Sequence, residues 1–480
     1  MKIIEESTMK TFTIFAVLLS TVLVACGGGG GNSVAGIDAR GTPVPVAVVA
    51  KGTIAGFGSV IVNGVRYDTS AATFDVDDSP GVQGDLRIGQ VVVVRGTLND
   101  DSTTGVADSV QFDDVVEGPI SSINMAAATI TVLDQIVMID ADTSFDDRIS
   151  PASIEGLAVN DTVEVSGFFR ADGSIAATRI ETKPPGTEFE VTGIVRNVTA
   201  ANFMINNLVV NYSAAQLDNF PTGAPETGQL VEAKGNNLGG SGELLATRVE
   251  FKGNDIGGAN GDQIEVEGFI TRFVAANDFD VEGIPVITTA STAYVNGTSA
   301  DLALNRKVEV EGTINAAGAI SATKVEIKLA GFIRIEGMVD ATTANSVTIF
   351  GITVGVDSLT RIEDKSNASV DPFRLADINV GDYLETRGYE DASGIVATRV
   401  EREDFQGDVA IRAFVDSVAD PDFTIRGVLI QTNGSTTFRD INDQIIPASG
   451  FFGQAMGRLV EADGSLSNGG ILADQVDLEN

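Results

Sequence analysis

Carboxylates are the residues in this 480-residue chain with the type and spacing to do chemistry. Asp75, Asp77, Asp78 and Asp85 crowd the stretch DVDDSPGVQGD, and clustered hard oxygen ligands suit calcium. The stretch does not follow an EF-hand loop, because Pro80 stands where that loop needs glycine, so a solvated acidic loop is the competing expectation. Asp100-Asp101 and Asp146-Asp147 are sparser versions of the same feature. A glutamate row, Glu164, Glu232, Glu309, Glu385 and Glu461, recurs at one position, followed one strand later by Arg179, Arg248, Lys324 and Arg399. It reads as cross-strand ion pairs on an exposed face, each worth a few tenths of a kcal/mol, with a ligand-facing row as the alternative. Paired carboxylates for glycoside hydrolysis are compatible with the composition. Acids scattered differently in each copy do not, however, make one tuned active site.

The totals exclude other chemistries. Lys+Arg 31 against Asp+Glu 67 gives a net charge of −36, with no histidine, no tryptophan and one cysteine. Without histidine there is no imidazole base for a serine or cysteine nucleophile and no imidazole metal ligand. A lone cysteine makes neither an internal disulfide nor a cysteine-based zinc site. A strongly acidic chain with few aromatics is a poor partner for nucleic acid, whose phosphates need a basic field. The expectation is a protein without a cofactor and without enzymatic activity.

The single cysteine, Cys26, lies between an apolar stretch of 14 residues, Phe12 to Ala25, and five glycines, Gly27 to Gly31. That stretch is short for a membrane-spanning helix, which needs roughly 20 residues, and suits the core of a secretory signal. Leu23-Val24-Ala25-Cys26 resembles the bacterial lipobox. The resemblance implies cleavage before Cys26 and lipidation of its thiol and new amino group, and two or more acyl chains anchor stably. Gly27, rather than aspartate, then implies sorting to the outer membrane. The glycine-rich tether would span on the order of 25–30 Å. Residues 1–8 put two glutamates ahead of the basic Met9-Lys10, so Met9 reads as the start.

These carboxylates must be held by strands. An eight-residue block ending in glycine recurs six times, as GQVVVVRG (89–96), NDTVEVSG (160–167), GQLVEAKG (228–235), NRKVEVEG (305–312), GDYLETRG (381–388) and GRLVEADG (457–464). Each is followed by a turn and an alanine-containing block such as SIAATRI (174–180). Opening strands such as VEGFI (266–270) and second strands such as FGSVIVNGV (57–65) or FDVEGI (279–284) precede the pair. Val163 and Val165 alternate with Glu164, the period of a half-buried strand. The repeated terminal glycine points to a backbone need, either φ > 0 or a close approach.

The expected fold is all-β: a lipoprotein signal (1–25), a flexible tether (26–49), then six tandem five-stranded OB-like barrels at 50–114, 115–185, 187–255, 262–328, 331–404 and 407–480, units 1 to 6 below. Six such units in a row would reach on the order of 150 Å if extended. The chain resembles a tandem-repeat bacterial lipoprotein family built from an OB-like domain of unknown function. The resemblance implies fold and location only. Together these readings describe a membrane-anchored envelope lipoprotein, facing periplasm or cell surface, that acts as a non-enzymatic binding, adhesion or scaffolding string. Its partners would be membrane lipid and an envelope or extracellular ligand. The runner-up is a cation- or polysaccharide-binding module using acidic loops, and an enzyme comes third.

Overall fold

The structure, a computed structural model, describes residues 46–253, 257–329, 331–391, 393–442 and 444–479. The expected signal, most of the tether and Cys26 lie outside the described residues.

Every unit closes its strands into the same circuit. In unit 4 the opening strand Gln263–Ala275 is antiparallel to the second, Asp278–Val281, which turns back into the third, Ile284–Ile287. The third runs parallel to the sixth, Ile320–Ile327. The sixth is antiparallel to the fifth, Lys307–Ile314, and the fifth returns to the opening strand. A short fourth strand, Ala293–Val295, pairs with the far end of the sixth. Units 1, 2 and 6 repeat this closed, barrel-like ring, as do units 3 and 5. The chain is thus all-β with six repeated domains; the one α-helix among the described residues is Ala448–Phe452.

What reads in the sequence as a single second strand is two. Asn63-Gly64, Glu282-Gly283 and Arg426-Gly427 all have positive φ, 51° and 78°, 52° and 77°, and 52° and 79°. Two successive residues at positive φ make the tight turn that matches strand twist in a two-residue hairpin.

The recurrent block-ending glycine meets its need by close approach rather than by positive φ. A Cβ at Gly96, Gly167, Gly235, Gly312, Gly388 or Gly464 would lie 2.0, 2.4, 2.4, 2.3, 2.1 or 2.1 Å from a carbonyl oxygen of the sixth strand, or of Leu245 in unit 3. In five units the register shifts at that residue, so the glycine sits in a bulge that bends the hairpin into the ring.

The units are not strung out. Described strands form three 13-stranded sheets, each joining two units. Opening strands of units 2 and 3 pair antiparallel, Glu117 opposite Glu190. Those of units 5 and 6 pair likewise, Glu336 opposite Ala410. Unit 1 skips its neighbours and pairs in parallel with unit 4, Val48 to Lys51 against Gln263 to Val266. Apolar interiors follow the same division: units 2 and 3 share one core and units 5 and 6 another, while units 1 and 4 each keep their own. Small barrels have marginal cores alone, so fusing them removes edge and apolar surface together.

Candidate functional site

Fusion changes what the glutamate row is. Alternation along the fifth strands holds, with valines inward and glutamates outward, but the outward face is covered by charged side chains and adjoining strands. Glu164, Glu232, Glu309 and Glu385 are buried, and only Glu461 is half-exposed. The exposed-face expectation is therefore corrected.

The expected partners also divide. Arg399 reaches Glu385 at 3.0 Å and Lys324 comes within 3.9 Å of Glu309. Arg179 instead pairs with Glu181 and donates to the Ile88 carbonyl of unit 1 at 3.0 Å. Arg248 binds Asp218, Glu250 and Asp78. These cations act as fasteners between strands and between units.

Unit 2 is the hub. Val91 N–H of unit 1 donates to Ser166 Oγ at 2.8 Å. From unit 5, Thr398 donates to Asp142 at 2.7 Å, Arg399 to the Thr143 carbonyl at 2.6 Å, and Lys365 pairs with Asp147 at 2.7 Å. Toward unit 4, Ala171 N–H donates to Asn305 at 2.8 Å, and the Arg170 guanidinium lies 5.2 Å from the Phe269 ring centre. Two cavities follow these seams. One, of about 300 Å³, is lined by Asn63, Asp142, Arg170, Glu267, Lys307 and Arg361 from units 1, 2, 4 and 5. The other, of about 550 Å³, is lined by Arg87, Arg148, Arg179, Glu181, Glu363 and Lys365 from units 1, 2 and 5.

The four aspartates of the acidic loop do not converge. Asp85 accepts from the Val82 N–H across a 3₁₀ turn at 2.8 Å. Asp75 is exposed. Asp78 crosses to unit 3, pairing with Arg248 at 2.7 Å, Lys234 at 3.2 Å and Lys252 at 3.3 Å. Asp77, held at φ 50°, turns inward and accepts from the Asp114 N–H at 3.3 Å. Asp101 caps its own turn, accepting from Thr103 and Thr104 N–H groups, and Asp146 pairs with Arg148.

Asp77 leads to a group that sequence reasoning missed. Asp114, Glu117 and Glu164 each offer a carboxylate oxygen, all within 4.8 Å of one another, and all three residues are buried. Lys183 pairs with Glu164 and lies 3.9 Å from Glu117. Burial, reinforced by Glu190, Glu164 and Asp77, pushes the Asp114 carboxyl well above its ordinary value. Burial also lifts Glu117 and Glu164 to about 7 against the pull of Lys183. Asp113-Asp114 was visible in the sequence as a charged pair at a unit boundary, but nothing local told that it would be roofed by two barrels.

Six segments, residues 48–111, 117–181, 192–250, 267–326, 336–401 and 412–477, match one family model, a domain of unknown function, DUF5666. The chain belongs to that family, as a tandem array of six copies. No curated protein matches it. Among solved structures, a multidomain protein with nucleic acid binding domains from Streptococcus pneumoniae aligns over 48% of this chain and 76% of that chain, at 8% identity and a TM-score of 0.14. A superposition that poor carries no inference.

Proposed function

We propose that the protein is a lipid-anchored bacterial envelope lipoprotein that presents six OB-like barrels as one non-catalytic binding and scaffolding platform. The observation that carries the platform is the cross-unit fusion: three sheets, each built from two barrels, tied through unit 2 by buried charged hydrogen bonds. Of the cations that recur along the chain, Arg179, Arg248 and Arg399 are engaged in joining barrels and Lys324 in joining strands, which favours a structural and binding role over catalysis. The OB-like reading draws support from the ring, in which the third strand closes onto the last in parallel and all other neighbours are antiparallel. Anchoring rests on Leu23-Val24-Ala25-Cys26 before the glycine tether. The platform would face periplasm or cell surface and take an envelope or extracellular ligand.

Replacing Cys26 with serine tests the anchor. The expected outcome is a protein lost from the membrane fraction, since the acyl chains that hold it are gone. A Cys26→Ser chain that stays with membranes through an alkaline wash overturns the lipoprotein reading. Pull-downs with both forms against envelope extracts then test binding by the platform itself.

A further inference from the structure

We propose that Asp114, Glu117 and Glu164 bind one calcium ion in the seam between units 1 and 2. Asp114 belongs to the short connection between the first two family segments, outside both. It is 2% exposed, and neither of its carboxylate oxygens has a hydrogen-bond partner among the described residues. Glu117 Oε1 is also buried without a partner. Buried charge is retained when it is paired or coordinates a metal. Among the described residues the one cation in direct contact is Lys183, which reaches Glu164 and Glu117, while Asp77 accepts from the Asp114 N–H.

The donor set selects the ion. Oxygens alone, with no imidazole or thiolate, exclude a zinc-type site. The three oxygens lie within 4.8 Å of one another, inside the span that an ion coordinating at about 2.4 Å can bridge, as calcium does. Magnesium, at about 2.1 Å and strictly octahedral, keeps several waters and is held by one or two carboxylates, so a set of three buried carboxylates suits it less well. Backbone carbonyls and water would complete the shell, and the bound ion would pin the unit 1–unit 2 connection.

A fold requirement for Asp114 is excluded by unit 5, whose joint to unit 6 corresponds to the joint between units 2 and 3. Strand register equates Glu117 with Glu336, since each faces the buried glutamate of its fifth strand. The residue equivalent to Asp114 is then Ile333, a core residue. An apolar side chain serves that position.

The test uses the detergent-purified full chain, stripped with EDTA and titrated with calcium chloride or magnesium chloride at equal ionic strength. Calorimetry should show one calcium per chain. The melting temperature should climb with calcium concentration, as for any ligand that binds only the native state, and climb less with magnesium. In Asp114→Asn the calcium affinity should fall at least about tenfold, because ligand charge sets affinity at such sites. Its metal-free melting temperature should not fall below that of the parent, since the carboxyl replaced has no hydrogen-bond partner among the described residues. Glu117→Gln gives the same reading should the first variant not fold. A calcium response no larger than that of magnesium, or one undiminished in a folded variant, overturns the site.

Discussion

Units 2 and 3 and units 5 and 6 are joined in one register by opposite chemistry. In both pairs the opening strands run antiparallel, and Glu117 opposite Glu190 corresponds to Glu336 opposite Ala410. Where the first seam has Asp114 and Val115, the second has Ile333 and Arg334. Arg334, its side chain 17% exposed, donates to Glu385 at 2.8 Å, to Asp463 at 3.3 Å, and to Glu336 and Glu461. Burial alone would raise the Glu385 carboxyl, but Arg387, Arg334 and Arg399 outweigh it and hold it well below its ordinary value. In the first seam Glu164, at the equivalent position, has Lys183 and two other carboxylates. Backbone pairing and the shared apolar core are common to both seams, so they set the joint. The buried charge is added to it, balanced within one seam and in surplus in the other.

The balanced seam should break hardest. Arg334→Met takes from the buried Glu385 one of its three arginines and leaves the half-buried Glu336 and Glu461 without the cation they share, and removing one partner of a buried ionic group costs about 3–5 kcal/mol. Urea unfolding should show the loss, and hydrogen exchange should place it in units 5 and 6. The matching cut in the acidic seam is Glu190→Gln, which relieves the carboxylate facing Glu117 but also takes one of three acidic partners from Lys234, so the two effects oppose. It should change stability by less than about 1 kcal/mol. Equal losses in the two variants would abolish the contrast between the seams.

Why one seam was readable and the other was not follows from range. The six-fold repeat, the hairpin of the last two strands and the alternation at Val163-Glu164-Val165 are local patterns, and the described strands follow them. The Asn63-Gly64 turn was equally local and carries a strong hairpin signal, yet it was absorbed into one strand because the apolar run on either side was read as continuous. Burial of Glu164 and Glu385 was not legible, because the second face of each fifth strand is covered by side chains of other strands and of the adjoining barrel, which the strand's own alternation does not show. The parallel pairing of unit 1 with unit 4 spans over 200 residues and leaves no periodic trace. Asp77 was picked out for its acidic neighbours, while its actual companion, Asp114, lies 37 residues on.

The unit 1–unit 4 joint puts the same contrast on one strand. Glu267 is buried with Lys307 at 2.8 Å and the Thr53 N–H of unit 1 at 3.0 Å. Burial opposes its charge, but Lys307 and Lys328 prevail and hold it at about 2. Two residues earlier, Glu265 is lifted to about 8 by burial and then by Glu309 and Glu311, with Lys324 and Lys328 opposing. The unfolded chain releases the Glu265 proton near 4.5, whereas the folded chain keeps it to about 8. Its contribution is therefore present below pH 4.5 and lost as pH rises to 8, while that of Glu267 is present above 4.5 and lost toward pH 2. Glu265→Gln should gain on the parent by on the order of 2 kcal/mol between pH 5 and pH 8.5. Urea titrations of both proteins at the two pH values measure this, and a gap that stays constant would mean Glu265 is ionised throughout.

The smallest effect belongs to the rim of the balanced seam. Arg426 of unit 6 grips Glu390 of unit 5 through two hydrogen bonds of 2.8 and 2.7 Å, a better geometry than Arg334 has with any one carboxylate. The side chains are, however, 27% and 41% exposed. Water already solvates both ends, so the bond replaces hydration rather than rescuing a buried charge, and salt screens what remains. Arg426→Gln keeps a long polar side chain at the same positive φ, which isolates the charge from backbone strain. The expected loss is under 1 kcal/mol, most of it already absent in the parent at high salt. Chemical denaturation with urea at low and high salt measures it. A loss above about 2 kcal/mol would show that an arginine's place across the seam, rather than its burial, decides what it contributes, and the reading of Arg334 would have to change with it.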